Sequence, residues 1–225
     1  MIKNISNLGD AAVYCDFGNE VNKTINSKVI KYFKTIKKNN IEGINNLTPS
    51  YNKLIISFDL NKTNFKEVKN YIENIDLEDS QNIYSKKLEI PVCCDENFSM
   101  DIKRLEEILK LSKEKILEKF LNKEYFCYMT GFIAGMPFLG DLDENMRAQR
   151  LETPRVKVPK GSVAITEQFA NIYTFESPGG WNILGNTPLD VFDSSKEDKP
   201  NLINPGDTVI FKEISLEQYK NFNEQ

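Results

Sequence analysis

The sequence predicts an α+β protein in which a small α/β sandwich precedes a β-barrel or β-sandwich. In the first eighty residues, strand-like apolar runs alternate with segments whose apolar residues recur at helical spacing. From Tyr125 onward, short strand-like runs are instead separated by turns that contain glycine and proline. The alternating half is typical of helices packed on a sheet, and many short strands at close spacing are typical of a barrel or sandwich.

Four elements account for most of the N-terminal half. Residues 12–17 predict a strand, and residues 54–58, LIISF, predict another strand after the turn-like residues 48–50. Two helices are predicted, the second of which begins at Asn64, with Glu67 three residues later as in a capping box. The apolar positions at helical spacing are Val21, Ile25, Val29, Phe33 and Ile36 in the first helix, and Phe65, Val68, Ile72 and Ile75 in the second.

A polar run at residues 76–87 interrupts this pattern and predicts a linker. We therefore predict an N-terminal α+β domain at residues 1–84 and a second domain at residues 85–225. The last residues, SLEQYKNFNEQ, are expected to form a short polar tail of the second domain.

The second domain is predicted to begin with a strand at residues 88–92 and two short helices at 102–109 and 116–121. Residues 156–165 predict a hairpin, because apolar residues alternate on both sides of the turn sequence PKG. A second turn sequence, PGD, precedes the last predicted strand at 208–214.

Composition limits the expected partners and compartment. The 225 residues carry a net charge of −4 and dispersed lysines, so neither nucleic acid nor an anionic membrane is expected as a partner. The N-terminus lacks the apolar region of a signal peptide, and no stretch approaches the roughly 18 apolar residues of a membrane span. Cys93 and Cys94 are adjacent and the other two cysteines are distant, which predicts neither disulfides nor a metal motif. We expect a reduced, cytoplasmic protein.

The chain contains no histidine. This excludes Ser-His-Asp and Cys-His catalysis, histidine acid–base chemistry and histidine-ligated metal sites within this chain. Asp141, Asp143 and Glu144 are expected to coat a loop, and we predict no metal site. Chemistry would therefore depend on carboxylates, Lys, Arg, Tyr, Cys, hydroxyls or backbone amides, or would be shared with another chain.

Four stretches of the C-terminal half have two interpretations: GFIAGMPFLG (131–140), PR (154–155), VPKGSVAI (158–165) and SPGGW (177–181). As a ligand site, glycines would let the backbone approach a ligand, and Arg155 would contact a carboxylate or phosphate through two hydrogen bonds. Trp181, the only tryptophan, would then provide a flat apolar wall. As plain structure, the same stretches would be barrel turns with a core tryptophan and a surface arginine. The residues alone leave both interpretations open.

The order of these motifs carries a resemblance to a known family. The segments GF, AGMPFLGDLD, TPR, VPKGSVAI, NIY, ESPGGWNILGNTPL and PGDTVIF follow one another within residues 88–214. In this order they resemble the allophanate hydrolase subunit 1 family, and SPGGW together with VP-x-GSVAI is the specific part of the match. TPSYNKLIISFD also resembles the family's N-terminal domain, so the resemblance covers nearly the whole chain. Members include the B-type subunit of the bacterial ATP-dependent 5-oxoprolinase and KipI, an inhibitor of a histidine kinase.

The resemblance implies a fold and a set of partners. The second domain would be a cyclophilin-like β-barrel. The chain would work with a subunit-2-type cyclophilin-like subunit and a LamB/YcsF-type subunit, which together open the small molecule 5-oxoproline to L-glutamate. ATP would be used by the complex, and this chain would be inactive alone.

The shared motifs also imply the site residues. Arg155 is expected to act in catalysis by stabilising charge, while turn amides near Gly179 and Gly180 hold the lactam oxygen or an acyl-phosphate. The expected substrate- or ligand-binding residues are Gly161, Ser162, Tyr173, Ser177, Gly179, Gly180 and Trp181.

The chain departs from the family pattern at several positions. Ala134-Gly135-Met136 replaces PGF, Phe169-Ala170-Asn171 replaces QTG, and Asn186 replaces the arginine of IGRTPL. Phe120 stands where a histidine is common. If the QTG and arginine positions contact the substrate, these departures favour a KipI-like inhibitor of a histidine kinase. An allophanate- or urea-type amidohydrolase subunit is a third hypothesis.

Overall fold

The computed structural model describes residues 2–77, 85–196 and 199–222. The chain divides into two compact units, Met1–Ser85 and Lys86–Gln225. The centre of the predicted linker and the predicted boundary at residue 84 lie outside the described residues, so both stay predictions.

The N-terminal unit consists of an antiparallel four-stranded sheet and two helices. The strands lie in the order β1-β2-β4-β3. Their bounds are β1 Asn4–Asn7, β2 Ala12–Asp16, β3 Ile44–Pro49 and β4 Lys53–Phe58, and the helices are α1 Lys23–Asn39 and α2 Phe65–Asn74. The strands predicted at 12–17 and 54–58 and both predicted helices are present.

Side-chain capping fixes where both helices begin. The Asn22 side chain accepts a hydrogen bond from the backbone N–H of Ile25 at 2.9 Å, and Asn64 accepts one from Glu67 at 3.1 Å. Strands β1 and β3 were not predicted, because NISN and INNLTP lack apolar alternation and both strands lie at sheet edges. The predicted turn at residues 48–50 is wrong in part, because β3 extends through Pro49. Proline has no backbone N–H to donate, and an edge strand tolerates this.

The second unit is built on a seven-stranded mixed sheet in the order β12-β9-β10-β7-β6-β13-β5. The strands are β5 Lys87–Val92, β6 Glu124–Thr130, β7 Pro137–Gly140, β8 Arg155–Val158, β9 Ser162–Thr166, β10 Phe169–Ile172, β11 Ser177–Gly179, β12 Asn182–Asn186 and β13 Thr208–Glu213. The helices are α3 Ile102–Leu109, α4 Lys113–Leu121 and α5 Leu216–Phe222. Strands β8 and β11 form a separate two-stranded ribbon.

The sheet curls until its two edge strands meet. Directly after β5, Cys93 pairs with Asn186 at the end of β12 through two backbone hydrogen bonds, Cys93 N–H to Asn186 O at 2.8 Å and Asn186 N–H to Cys93 O at 3.0 Å. The curled sheet encloses a core of buried apolar side chains from its strands and from α3 and α4. The predicted barrel is therefore confirmed in the coarser form of a mixed α/β unit with a curled sheet.

One sequence prediction for this unit, the hairpin, is wrong, and the predicted tail has a structure that was not predicted. The predicted hairpin at 156–165 does not form, because β8 pairs with β11 and β9 pairs with β10 and β12. Alternating apolar residues show that a segment is a strand, but they do not identify its partner. The predicted polar tail contains helix α5, in which the Tyr219 hydroxyl donates to the Asn186 side-chain oxygen at 2.7 Å.

The two faces of strand β10 have different surroundings. Ala170 and Ile172 pack into the main core, whereas Tyr173, directly after the strand, belongs to a second, smaller apolar cluster. Side chains alternate along a strand, so Asn171 lies on the same face as Tyr173. That face forms the candidate site. Among the described helices, none is long and apolar enough to cross a bilayer.

Candidate functional site

A cavity of about 570 Å³ lies against this face of the sheet, a volume within the range of about 300–1,000 Å³ usual for small-molecule sites. It is bounded by the sheet, by strand β11 of the ribbon, by the segment before β8, and by the loop between β6 and β7. The lining residues are Phe132, Met136, Phe138, Arg150, Pro154, Thr166, Glu167, Asn171, Tyr173, Pro178, Gly179, Gly180 and Trp181.

Aromatic side chains form the apolar part of the cavity wall. The rings of Phe138 and Trp181 meet edge to face, with centroids 5.6 Å apart. Phe132 is 81 % exposed and adopts a left-handed backbone conformation, with φ of 69°. A large apolar side chain held exposed beside an apolar cavity is available to contact a ligand or a partner chain.

Tyr173 and Asn171 form the buried polar part of the wall. The Tyr173 hydroxyl accepts hydrogen bonds from the backbone N–H of Trp181 and from the Asn171 side chain. Burial raises the pKa of Tyr173 above its ordinary value, and these hydrogen bonds oppose the shift. Tyr173 is therefore a neutral hydroxyl at physiological pH.

Gly179 allows the ribbon to approach Tyr173 closely. A Cβ atom at Gly179 would lie 2.2 Å from the Tyr173 hydroxyl oxygen, whereas a Cβ atom at Gly180 would have no neighbour nearer than 3.6 Å. The two glycines of SPGGW therefore have different roles, and the first is needed for packing.

Two exposed charges of opposite sign also line the cavity. They are Arg150, in the segment before β8, and Glu167, in the turn between β9 and β10. Within the described residues, Arg150 makes no ion pair. Thr166 also lines the cavity, and its hydroxyl donates to the Ala148 carbonyl at 3.2 Å.

Arg155, the predicted catalytic residue, lies beside the cavity and not among its lining residues. Its guanidinium Nη2 lies 2.5 Å from a carboxylate oxygen of buried Asp101, whose other oxygen accepts the Ile183 N–H at 2.7 Å. Arg155 also pairs with Gly179 across the ribbon. The buried Nη1 has no hydrogen-bond partner within the described residues.

The predicted ligand-binding residues divide into two groups. Tyr173, Gly179, Gly180 and Trp181 line the cavity together, whereas Gly161, Ser162 and Ser177 do not. Gly161 forms a tight turn with φ of 81°, where a Cβ atom would lie 2.4 Å from the Thr187 carbonyl oxygen. Ser162 is buried in β9, and Ser177 pairs with Val158 in the ribbon.

Comparison with known proteins decides the family. The family model described as "Carboxyltransferase domain, subdomain C and D" matches residues 3–203. The chain belongs to this family. It is 31 % identical to the B-type subunit of 5-oxoprolinase from Bacillus subtilis, over 98 % of this chain and 97 % of that protein.

Two further relatives are longer than this carboxyltransferase-family chain. A crystal structure of TTHA0988 superposes with a TM-score of 0.83 at 28 % identity, over 91 % of this chain and 40 % of that one. Urea amidolyase of Saccharomyces cerevisiae is 23 % identical over 96 % of this chain, which spans 13 % of that protein.

The two main departures from the family pattern have different structural roles. Asn171, in place of the glycine of QTG, lines the cavity. Asn186, in place of arginine, does not line it: its Nδ2 donates to the Lys160 carbonyl at 2.9 Å and its Oδ1 accepts from Tyr219. The departure at Asn186 therefore changes packing, whereas the departure at Asn171 changes the wall of the candidate site.

Sequence reasoning missed Arg150 and Glu167, and it identified Asn171 only as part of a departure from the family pattern. Period-2 alternation backward from Tyr173 would have placed Asn171 on the cavity face. No local signal identified Arg150, because it lies in a segment without regular structure. Within the described residues, no group of three or more acidic or cysteine side chains is placed to hold a metal ion.

The four cysteines, Cys15, Cys93, Cys94 and Cys127, are all buried. Burial raises the pKa of Cys15 and of Cys94 from the ordinary 9.0 to about 12, and it also raises the pKa values of Cys93 and Cys127. Since only the thiolate is nucleophilic, these thiols are unreactive in the folded protein.

We expect the native protein to react with a thiol reagent at pH 8 far more slowly than the unfolded protein, in which all four cysteine thiols would react. Because these pKa values are raised on folding, the unfolded chain loses thiol protons that the folded chain keeps as pH rises above about 9. Stability should therefore fall above that pH, as urea titrations at neutral pH and at about pH 10 would measure. A native thiol that reacts at the rate of the unfolded protein would contradict this prediction.

Proposed function

We propose that this chain is the B-type subunit of an ATP-dependent 5-oxoprolinase, which opens the lactam of 5-oxoproline to L-glutamate. The observation that carries the proposal is the 31 % identity to a protein named as that subunit, over nearly the full length of both chains. The cavity supports it, because a volume of about 570 Å³, walled by aromatic residues and lined by an arginine that forms no ion pair with a described residue, suits a small organic acid.

We further propose that the chain is not active alone. Of the described residues that line the cavity, only Glu167 carries a carboxylate, and the chain has no histidine. Catalytic carboxylates and ATP handling are therefore assigned to a subunit-2-type cyclophilin-like partner and a LamB/YcsF-type partner in the cytoplasm. In support, TTHA0988 extends well beyond the part that matches this chain.

The proposed contribution of this chain is to hold the lactam and to stabilise charge near the ribbon. Turn amides around Gly179 and Gly180 would hold the lactam oxygen or an acyl-phosphate formed from it. Arg155 lies one strand away, has a buried Nη1 to which no described residue is hydrogen-bonded, and would add positive charge there. Its pairing with Asp101 keeps the guanidinium in a fixed orientation.

A urea-type amidohydrolase subunit is the second candidate, favoured by the 23 % identity to urea amidolyase. Both candidates cleave or form a carbonyl C–N bond with ATP, and the partner chains would select between them. The KipI-like kinase inhibitor stays a prediction from the resemblance.

Reconstitution with a subunit-2-type cyclophilin-like subunit and a LamB/YcsF-type subunit tests the proposal. We expect ATP-dependent release of glutamate from 5-oxoproline that disappears when this chain is omitted, and no turnover by this chain alone. Urea and allophanate serve as competing substrates in the same assay. Glutamate release that continues without this chain would overturn the proposal, and turnover of urea alone would favour the second candidate.

A further inference from the structure

The side-chain amide of Asn171 uses its nitrogen in hydrogen bonds, whereas its oxygen has no partner among the described residues. Its Nδ2 lies 3.6 Å from the Met136 sulfur, and the side chain donates to the Tyr173 hydroxyl. In this orientation of the amide, Oδ1 is buried and no described residue donates a hydrogen bond to it. Asn171 is only 1 % exposed, and it lines the cavity. Native proteins seldom leave a buried carbonyl oxygen unpaired.

The surroundings of Asn171 restrict what could supply that donor. Among the neighbouring side chains, Met136 and Phe138 carry no N–H or O–H donor. Neither the Trp181 indole N–H nor the Tyr173 hydroxyl donates to Oδ1 within the described contacts. A ligand that carries an N–H or O–H group would complete the hydrogen bond. A ligand of the same shape without the donor would leave the oxygen unpaired, and sites of this kind discriminate strongly against such analogues.

Arg150 supplies a second constraint on the ligand. It lines the same cavity, is exposed and makes no ion pair within the described residues. A free guanidinium selects a carboxylate, because the two groups form paired hydrogen bonds. Glu167 lines the cavity as well, and its negative charge disfavours a second carboxylate on the same ligand.

We propose that the cavity binds a small monocarboxylic acid that carries an amide N–H, with Asn171 accepting the N–H and Arg150 holding the carboxylate. This inference rests on the proposed function, which identifies the acid as 5-oxoproline. Asn171 is then a specificity-determining residue at a position where the resembled family pattern has glycine.

Trp181 provides a direct measurement of binding. It is the only tryptophan and it lines the cavity, so its fluorescence reports on ligands there without any need for turnover. The full-length chain, alone and with its partner subunits, is titrated with four probes. These are 5-oxoproline, its lactone analogue with oxygen in place of the N–H, 2-pyrrolidinone without the carboxylate, and L-glutamate.

Wild-type protein should bind 5-oxoproline about tenfold or more tightly than the lactone, as expected for one buried hydrogen bond. Asn171→Ala should reduce this preference to less than about twofold, and Asn171→Gly, which restores the family residue, should do the same. The second variant keeps the test valid if the first fails to fold. A preference that survives in either folded variant overturns the role of Asn171.

Arg150→Gln should weaken binding of the three carboxylate probes, 5-oxoproline, the lactone and L-glutamate, about tenfold or more and leave that of 2-pyrrolidinone unchanged. Lys103→Gln is the matched control, because it removes one exposed positive charge on helix α3 that does not line the cavity. Equal effects of the two variants would show a general charge effect and overturn the role of Arg150.

These outcomes separate the inference from the proposed function. If the protein discriminates between lactam and lactone but the complex releases no glutamate with ATP, the inference stands and the proposed 5-oxoprolinase function is refuted. Glutamate release by a complex in which the wild-type chain shows no lactam preference would refute the inference alone. Absence of binding both alone and in the complex also overturns it.

Discussion

Gly179→Ala is expected to destabilise the protein by about 1–3 kcal/mol, the usual cost of forcing an extra group into a packed site. The added Cβ would lie 2.2 Å from the Tyr173 hydroxyl oxygen and 2.7 Å from two ring carbons. Tyr173 is 2 % exposed and its hydroxyl is hydrogen-bonded to Trp181, so the ring cannot move away without losing that contact. Urea denaturation at neutral pH measures the change in the free energy of unfolding.

Gly180→Ala is the matched control for this substitution. A Cβ at Gly180 would meet only the Leu151 carbonyl at 3.6 Å and Pro154 at 3.7 Å, which are ordinary contacts. We expect a change within about 0.5 kcal/mol, as for most substitutions that disturb no packing or hydrogen bond. Equal destabilisation by the two variants would show that the ribbon requires glycine for backbone conformation and not for its approach to Tyr173.

The N-terminal unit illustrates what a sequence pattern can predict. Its central strands and both helices bury one face each, so period-2 or helical spacing is visible in the residues. The asparagine caps at Asn22 and Asn64 follow from local chemistry alone, and Asn64 was recognised from its spacing to Glu67. Strand β3 was missed because its exposed edge places little demand on side-chain type.

The candidate site was predictable only in part, for a physical reason. One short segment that turns back on itself contains Tyr173, Gly179, Gly180 and Trp181. The motif that identifies these residues in the sequence therefore also predicts that they lie close together. Arg150 reaches the same cavity from a segment that long-range strand pairing brings close, and pairing partners cannot be read from alternation.

Asp101→Ala is the substitution expected to cost most stability, about 3–5 kcal/mol, the range for breaking a buried ion pair by removing one partner. The Asp101 side chain is 5 % exposed and that of Arg155 is 28 % exposed. Removing the carboxylate would leave the guanidinium without its acid partner and the buried Ile183 N–H without an acceptor. The midpoint of urea denaturation should fall accordingly, without a change in slope.

The partner substitution, Arg155→Met, should cost less than Asp101→Ala, because Asp101 keeps the hydrogen bond from Ile183 and the guanidinium was already partly exposed. The double variant should cost less than the sum of the two single variants, since the ion pair is lost only once. A pair on the surface of the same unit provides the control. Lys87 and Glu124 are each 58 % exposed, and Glu124→Ala should change stability by less than about 1 kcal/mol.

The same variants distinguish a structural role of Arg155 from its proposed role in catalysis. If Arg155 only joins the ribbon to Asp101, the turnover of the reconstituted complex should follow the fraction of folded chain. If it also stabilises charge on the substrate, Arg155→Lys should reduce kcat by about tenfold or more while retaining most of the stability, because lysine keeps the charge but not the geometry of two hydrogen bonds. Additive stability losses in the double variant would contradict the ion pair itself, whatever the kinetics show.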